Sequence, residues 1–303
     1  MNNPNCRICG ATGDQQQVRA NTVFGGKPEH KFFECSECGA IYLFPVPSEE
    51  EEKRFYKQEF ERYMATRAGV ERDWTNAEKH IQTNQDQVKR RWAFIEEYLK
   101  PEQKLLEIGC STGFMLDRFR EYGADVSGIE LSDEFLPFLR QRGHKVYSSI
   151  EILKKDNPEV KFDIITHFFV FEHMRDPFSF LESTYSMLKS GGYIIAEVPC
   201  SNDPLTSLYD IPAFEEFYWS IAHHYYYTPK SIKFVLDKLG YDYEIKPEQR
   251  YDISNHMYWM MAGKPGGQGK FDDIFSAETN RLYKEDLKSS WKCDTMFIYV
   301  RKP

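Results

Sequence analysis

The chain has 303 residues, 41% of them apolar and 16% aromatic, enough to fill the core of one large domain with a satellite or of two ordinary domains. Its 39 basic and 47 acidic residues leave a net charge of −8, which repels polyphosphate surfaces and disfavours wholesale nucleic-acid binding. The longest apolar runs, such as "HFFVF", are far too short for a bilayer and the first residues lack a basic-then-apolar layout, so the expectation is a soluble, cytoplasmic protein.

Four of the seven cysteines form two hooks, Cys6-x2-Cys9 and Cys35-x2-Cys38, each followed at once by a glycine and separated by 25 residues. Two short-range knuckles of this kind supply a tetrahedral thiolate set, so the spacing predicts a closed, structural Zn²⁺ site. A module over 1–45 could not bury enough surface to fold without such a staple. The competing chemistry, a redox dithiol, usually needs a single CxxC at a helix start in its own fold.

A helical linker region is expected over 46–84. Pro47-Ser48 opens an acidic first turn, and Phe55, Tyr56, Phe60 and Tyr63 recur at helical spacing. "VKRRWAFIEEYLK" then reads as a helix running up to Pro101.

From Leu105 onward strands and helices alternate. The strands are "KLLEIGC", "DVSGIEL", "KVYSS", "FDIITHFF" and "YIIAEVP", and the helices include Gly113 to Tyr122 and Asp176-Pro177 to Lys189, the latter stopped by Gly191-Gly192. Strands separated by ten- to fifteen-residue helices mean right-handed crossovers. The predicted fold class is therefore α/β: a doubly wound, mostly parallel, Rossmann-like sheet over 85–303, behind the small N-terminal zinc-binding module. Insertions on the acceptor side are expected at about 200–228, an irregular aromatic segment, and about 252–290. A helix to Leu239 stopped by Gly240, a strand near "YDYEIKPE" and a final strand "TMFIYVRK" complete the chain.

The first strand of the alternation runs into Glu107-Ile108-Gly109-Cys110-Ser111-Thr112-Gly113 before a helix begins. Gly109 permits a sharp turn and close approach of a ligand, and Gly113 lets the helix start beside the strand. Glu107 would face the crevice at the strand ends, and Glu130, ending the next strand about twenty residues later, stands where a ribose-hydroxyl acceptor belongs. A pyrophosphate of a nicotinamide or flavin cofactor would be repelled by Glu107, whereas a ligand with an ammonium and a sulfonium would be attracted.

On "LLEIGCSTGF", "GIELS", "FDIITHFFVFEHMRDP" and "GGYIIAEVP", about residues 85 to 245 resemble the class I S-adenosylmethionine-dependent methyltransferases. The resemblance implies that Gly109, Cys110, Ser111 and Gly113 line the methionine end of the cofactor and that Glu130 holds its ribose. It also implies that Leu131 packs on adenine, that Ser149 lies at the adenine edge, and that Phe168 and Phe169 close over the ligand or serve as core aromatics. "CRICG" with "FFECSECGAIYLFPVPSEEE" resembles the zinc module ahead of bacterial sugar methyltransferases, which implies a carbohydrate or nucleotide-sugar acceptor.

Acceptor chemistry needs a base where the nucleophile carries a proton, and histidine suits neutral pH. His223 and His224 lie in the aromatic segment with no periodicity to explain them, and Glu172-His173 follows the fourth strand. The sugar methyltransferases carry a Glu-His pair and an aromatic run here; by that resemblance His224 is the base, Tyr226 or Tyr227 its neighbour, and His223 replaces the glutamate. That replacement favours O- over C-methylation. The alternatives are a zinc-containing RNA methyltransferase and a non-catalytic S-adenosylmethionine-binding scaffold. The acceptor's identity, the methylated atom and the oligomeric state stay open.

Overall fold

The computed structural model describes residues 3–60, 62–64 and 76–303. Among these the strands are β1 (Gln16–Ala20), β2 (Lys31–Cys35), β3 (Ile41–Phe44), β4 (Lys104–Ile108), β5 (Asp125–Ile129), β6 (Lys145–Tyr147), β7 (Phe162–Phe168), β8 (Leu188–Pro199), β9 (Tyr225–Tyr226), β10 (Asp242–Glu248) and β11 (Thr295–Arg301). They form a four-stranded sheet in the order β1-β2-β3-β9 and a seven-stranded sheet in the order β10-β11-β8-β7-β4-β5-β6. The pairs β4–β5, β4–β7 and β5–β6 are parallel, as buried strands linked by helices must be. This is the expected α/β, Rossmann-like arrangement.

The chain divides into two compact units that do not follow chain order. One comprises Met1–Val46, Phe171–Asp176 and Glu197–Ile298; the other comprises Pro47–Val170, Pro177–Ala196 and Tyr299–Pro303. The cysteine segment, read as a module over 1–45, falls in the first of these units. Its antiparallel strands β1 to β3 take β9 as a fourth, with Ile41 opposite Tyr226 and Tyr42 opposite Tyr225. Phe32, Ile41, Leu43, Trp219 and Tyr226 make one buried cluster there, and burying side chains such as Phe32 or Ile41 contributes about 1.5–3 kcal/mol each.

In the other unit each crossover is set by local chemistry. The helix Phe114–Tyr122 begins at Gly113 and ends at Gly123, both in the left-handed region that a side chain would disfavour, and Gly123 N–H donates to the Arg120 and Phe119 carbonyls. The acidic helix is present as Glu49–Arg54, with Ser48 and Glu51 forming a reciprocal cap, followed by a π-helical turn at Phe55–Glu59. Part of the expected linker region, residues 61 and 65–75, lies outside the described residues.

Two expectations need correction. Gly191-Gly192 does not stop the helix, which ends at Ser186; both glycines belong to β8. There Gly191 N–H donates to Lys302 O, and a Cβ on Gly192 would come within 2.7 Å of the Asp163 carbonyl, so close backbone approach explains them. The segment 202–227 is also more regular than read. Helices Pro204–Ser207 and Pro212–Tyr218 each start with proline, Asp203 caps the first, and Leu205, Phe214 and Trp259 cluster beneath them. Among the described residues no helix is long and apolar enough to cross a membrane.

Candidate active site

Strand order reverses at β4, which has β5 on one side and β7 on the other, and a crevice opens outside the carboxyl ends of strands at such a point. The loops leaving β4 and β7 approach closely there: a Cβ on Gly109, at φ +71°, would lie 2.5 Å from Val170 Cγ2. Gly113, at φ +81°, would similarly meet Leu139 Cδ2 at 2.6 Å. Both positions therefore demand glycine for space as well as for conformation. Ser111 and Phe169 hold positive φ, 50° and 56°, without being glycine, and such strained backbone gathers at ligand sites.

Glu130 pins the turn. One carboxylate oxygen accepts from Ser111 N–H at 2.6 Å and the other from Ser132 N–H at 2.8 Å. Glu107 is 3% exposed, and its Oε2 is buried with no hydrogen-bond partner. Burial pushes its carboxyl up to about 8; the Arg91 charge opposes that shift and the Glu130 charge adds to it. A buried acid with an unsatisfied oxygen beside a glycine turn suits a cationic ligand group.

One consequence is measurable on the free protein. Between pH 4.5 and about 8 the folded chain keeps a proton on Glu107 that the unfolded chain has released, so this residue's contribution falls as pH rises across that window. Glu107→Gln should therefore melt several degrees above the wild type near pH 9 and gain far less near pH 4. An offset independent of pH, followed by calorimetry, would refute the assignment.

The remaining cofactor residues are distributed unequally. Cys110, expected at the methionine end, has its thiol 1% exposed in a cluster with Leu116, Phe135, Leu136, Leu139 and Val146, and its N–H donates to Ile129 O. Ser149 caps the helix Ile150–Asp156 by accepting from Ile152 N–H. Leu131 is 44% exposed. Phe168 is buried, with the Arg91 guanidinium 4.5 Å from its ring centre and 5.6 Å from that of Phe169.

Sequence reasoning missed Arg91 and His80. Arg91 shares the buried stripe of its helix with Val88 and Ile95, and a base at core spacing was the available signal. His80 meets Thr112 Oγ1 at 2.9 Å through Nδ1, and burial lowers its imidazole to about 4, which keeps it neutral.

The four cysteines converge. Cys6 and Cys38 sulfurs are 3.6 Å apart, as are those of Cys9 and Cys35, and all four lie within 4.8 Å of one another. The two hooks share one turn: Gly10 N–H donates to Cys6 O and Gly39 N–H to Cys35 O, both glycines having positive φ. A hydrogen bond from Cys38 holds the Cys6 thiol down at about 5. Between the hooked cysteines, Arg7 reaches out to the carbonyls of Leu43 at 3.3 Å and Arg175 at 3.1 Å, and to His224 Nδ1 at 3.1 Å.

That contact fixes His224. A guanidinium only donates, so Nδ1 accepts and the proton of the neutral ring sits on Nε2. In His173 it is Nδ1 that donates, to the Ala222 carbonyl 2.7 Å away. His173 and His223 rings stand perpendicular with centroids 4.7 Å apart, and His173 Nε2 is 4.0 Å from Glu172 Oε1. Tyr226, expected beside the base, lies in β9. It is 1% exposed; its hydroxyl donates to Tyr218 O and accepts from Ser220 N–H, so it is a core strut. Tyr227 stacks on Phe171 at 5.0 Å.

The family described as a methyltransferase domain matches residues 78–244, more than half of the chain. The chain belongs to the methyltransferase domain family. The match spans the strands β4 to β8, the glycine turn and both acids. The chain is 33% identical over 99 residues to a ubiquinone biosynthesis O-methyltransferase of Aliivibrio fischeri (strain MJ11), covering 30% of this chain and 42% of that protein. The protein of that name from Nitrosomonas europaea is 30% identical over 117 residues, 36% of this chain and 49% of its own. The alignment thus spans less than half the length of these relatives. Among solved structures, a SAM dependent methyltransferase from Archaeoglobus fulgidus has a TM-score of 0.50 at 23% identity, covering 72% of this chain and 94% of its own. A Haemonchus contortus phosphoethanolamine N-methyltransferase 2 in complex with S-adenosyl-L-methionine has a TM-score of 0.52 at 18% identity, covering 87% and 62%. At these identities the likeness shows a shared fold.

Proposed function

We propose that this methyltransferase transfers the methyl group of S-adenosylmethionine to a hydroxyl oxygen of a small polar acceptor, a sugar or nucleotide-sugar. The observation that carries the reading is the unsatisfied, buried Glu107 oxygen at the β4 switch point, beside a turn tied down by Glu130. Bound there, S-adenosylmethionine supplies a methyl carbon on a positively charged sulfur that departs as a neutral thioether. As the ligand's positive charge arrives, Glu107 would release its proton and pair with that charge as a carboxylate, and Glu130, a carboxylate with about four acceptor sites, would take the ribose hydroxyls while holding the loop. By the resemblance to the sugar methyltransferases, the histidine segments holding Glu172, His173 and His223 are the candidates to take the acceptor's hydroxyl proton. His224 is assigned a positioning role because Arg7 occupies its accepting nitrogen. The relatives named O-methyltransferases and the histidine at 223 support oxygen as the methylated atom.

Four sulfurs at these separations support zinc in the cysteine site, since bonds of about 2.3 Å at tetrahedral angles set sulfurs about 3.8 Å apart, far beyond a disulfide. With no open position the ion would be structural.

Glu130→Ala should weaken S-adenosylmethionine binding by about 1–3 kcal/mol, the cost of removing a charged partner from buried hydroxyls, as read by calorimetry. Incubating the protein with labelled S-adenosylmethionine and a panel of nucleotide sugars tests the acceptor. Label on no sugar, or on ribosomal RNA alone, would remove the carbohydrate reading.

A further inference from the structure

We infer that Glu172, His173 and His223 form a binding site for one divalent transition-metal ion, separate from the four cysteines. The inference rests on the reading above, because the ion would sit in the cluster assigned to the acceptor's proton. The three residues each direct one ligating atom to a common point, all within 4.8 Å of one another. With Nδ1–H given to Ala222 O at 2.7 Å, His173 has its ring orientation fixed, and its Nε2 lies 4.0 Å from Glu172 Oε1.

The surroundings have the form of a metal site. A carbonyl that takes the outer N–H of a ligating imidazole fixes its orientation, which is what Ala222 does for His173. The turn Phe171–His173 is itself held by His224 N–H donating to Glu172 O at 2.8 Å and by Phe171 stacked on Tyr227. Two imidazoles and one carboxylate select a borderline ion such as Zn²⁺, Co²⁺ or Fe²⁺ over Mg²⁺ or Ca²⁺. Bonds of about 2.0–2.2 Å require the donors to draw together by roughly 1 Å, within reach of side-chain rotation. Three protein ligands would leave a position for an oxygen ligand, in contrast to the closed cysteine set.

Titrating Co²⁺ into the full-length protein, purified with its zinc, separates the sites. The expected result is one additional equivalent with weak visible bands and no thiolate charge-transfer absorption, bound at least about 100-fold more weakly by His223→Ala, since even outer-shell partners carry 10–100-fold. Absence of the additional equivalent, or its unchanged uptake by His223→Ala, would overturn the inference. Should His223→Ala lose its fold by circular dichroism, the same titration on His173→Gln decides by the same criterion. Sugar methylation by wild-type protein that takes up no Co²⁺ would sink the metal alone; Co²⁺ uptake without S-adenosylmethionine binding would sink the methyl-transfer reading instead.

Discussion

Replacing His173 by alanine should lower turnover by about 10²–10⁴-fold, the usual worth of a positioned proton acceptor, with S-adenosylmethionine affinity nearly unchanged. The reason is position: the contact of His173 Nδ1 with the Ala222 carbonyl fixes the ring, with Nε2 4.0 Å from Glu172 Oε1. The loss is expected whether that nitrogen takes the proton or holds an ion that acidifies the hydroxyl. His224→Ala is the comparison. Its accepting nitrogen already serves Arg7, so it should lose turnover by a much smaller factor. Single-turnover rates measured at saturating cofactor would decide, and a fully active His173→Ala would transfer the role elsewhere.

On the proposal that the four sulfurs hold zinc, Cys35→Ser should release the ion and open the β1-β2-β3-β9 sheet. Structural zinc contributes about 10–16 kcal/mol of apparent binding free energy in small metal-folded peptides, more than a domain's net stability. Cys35 closes β2 and its sulfur also receives Gln16 Nε2 at 3.6 Å. Metal analysis should find one equivalent fewer, and hydrogen exchange should quicken in β1 to β3 and in β9. Four titratable thiols in a well-protected, metal-free sheet would contradict this.

The parts legible in sequence are those written locally. The glycine turn, the acid after β5 and the paired cysteines each need only neighbours within a few residues and a strand-to-helix context. Side-chain direction is less legible. Cys110 sits inside the turn motif, yet the motif fixes only its backbone, and the thiol falls into the cluster around Leu139. Tyr226 belongs to an aromatic run beside two histidines, but it becomes a strand residue facing the Phe32 and Trp219 core. Ser149 is consumed by its own helix. Arg7 could not have been found, because its partners lie more than 30 residues away in the chain and nothing between two cysteines marks an anchor.

Arg7 carries a lesson for protein engineering and for inheritance. Because this side chain departs from inside a cysteine hook to grip His224, and because β3 borrows Tyr225 and Tyr226 as its edge partner, trimming the first 46 residues to obtain a minimal catalyst would strip the histidine segment of its template. A chimera that exchanges acceptor specificity must therefore transplant two distant stretches of chain as a matched set, the cysteine hooks together with residues 219–228.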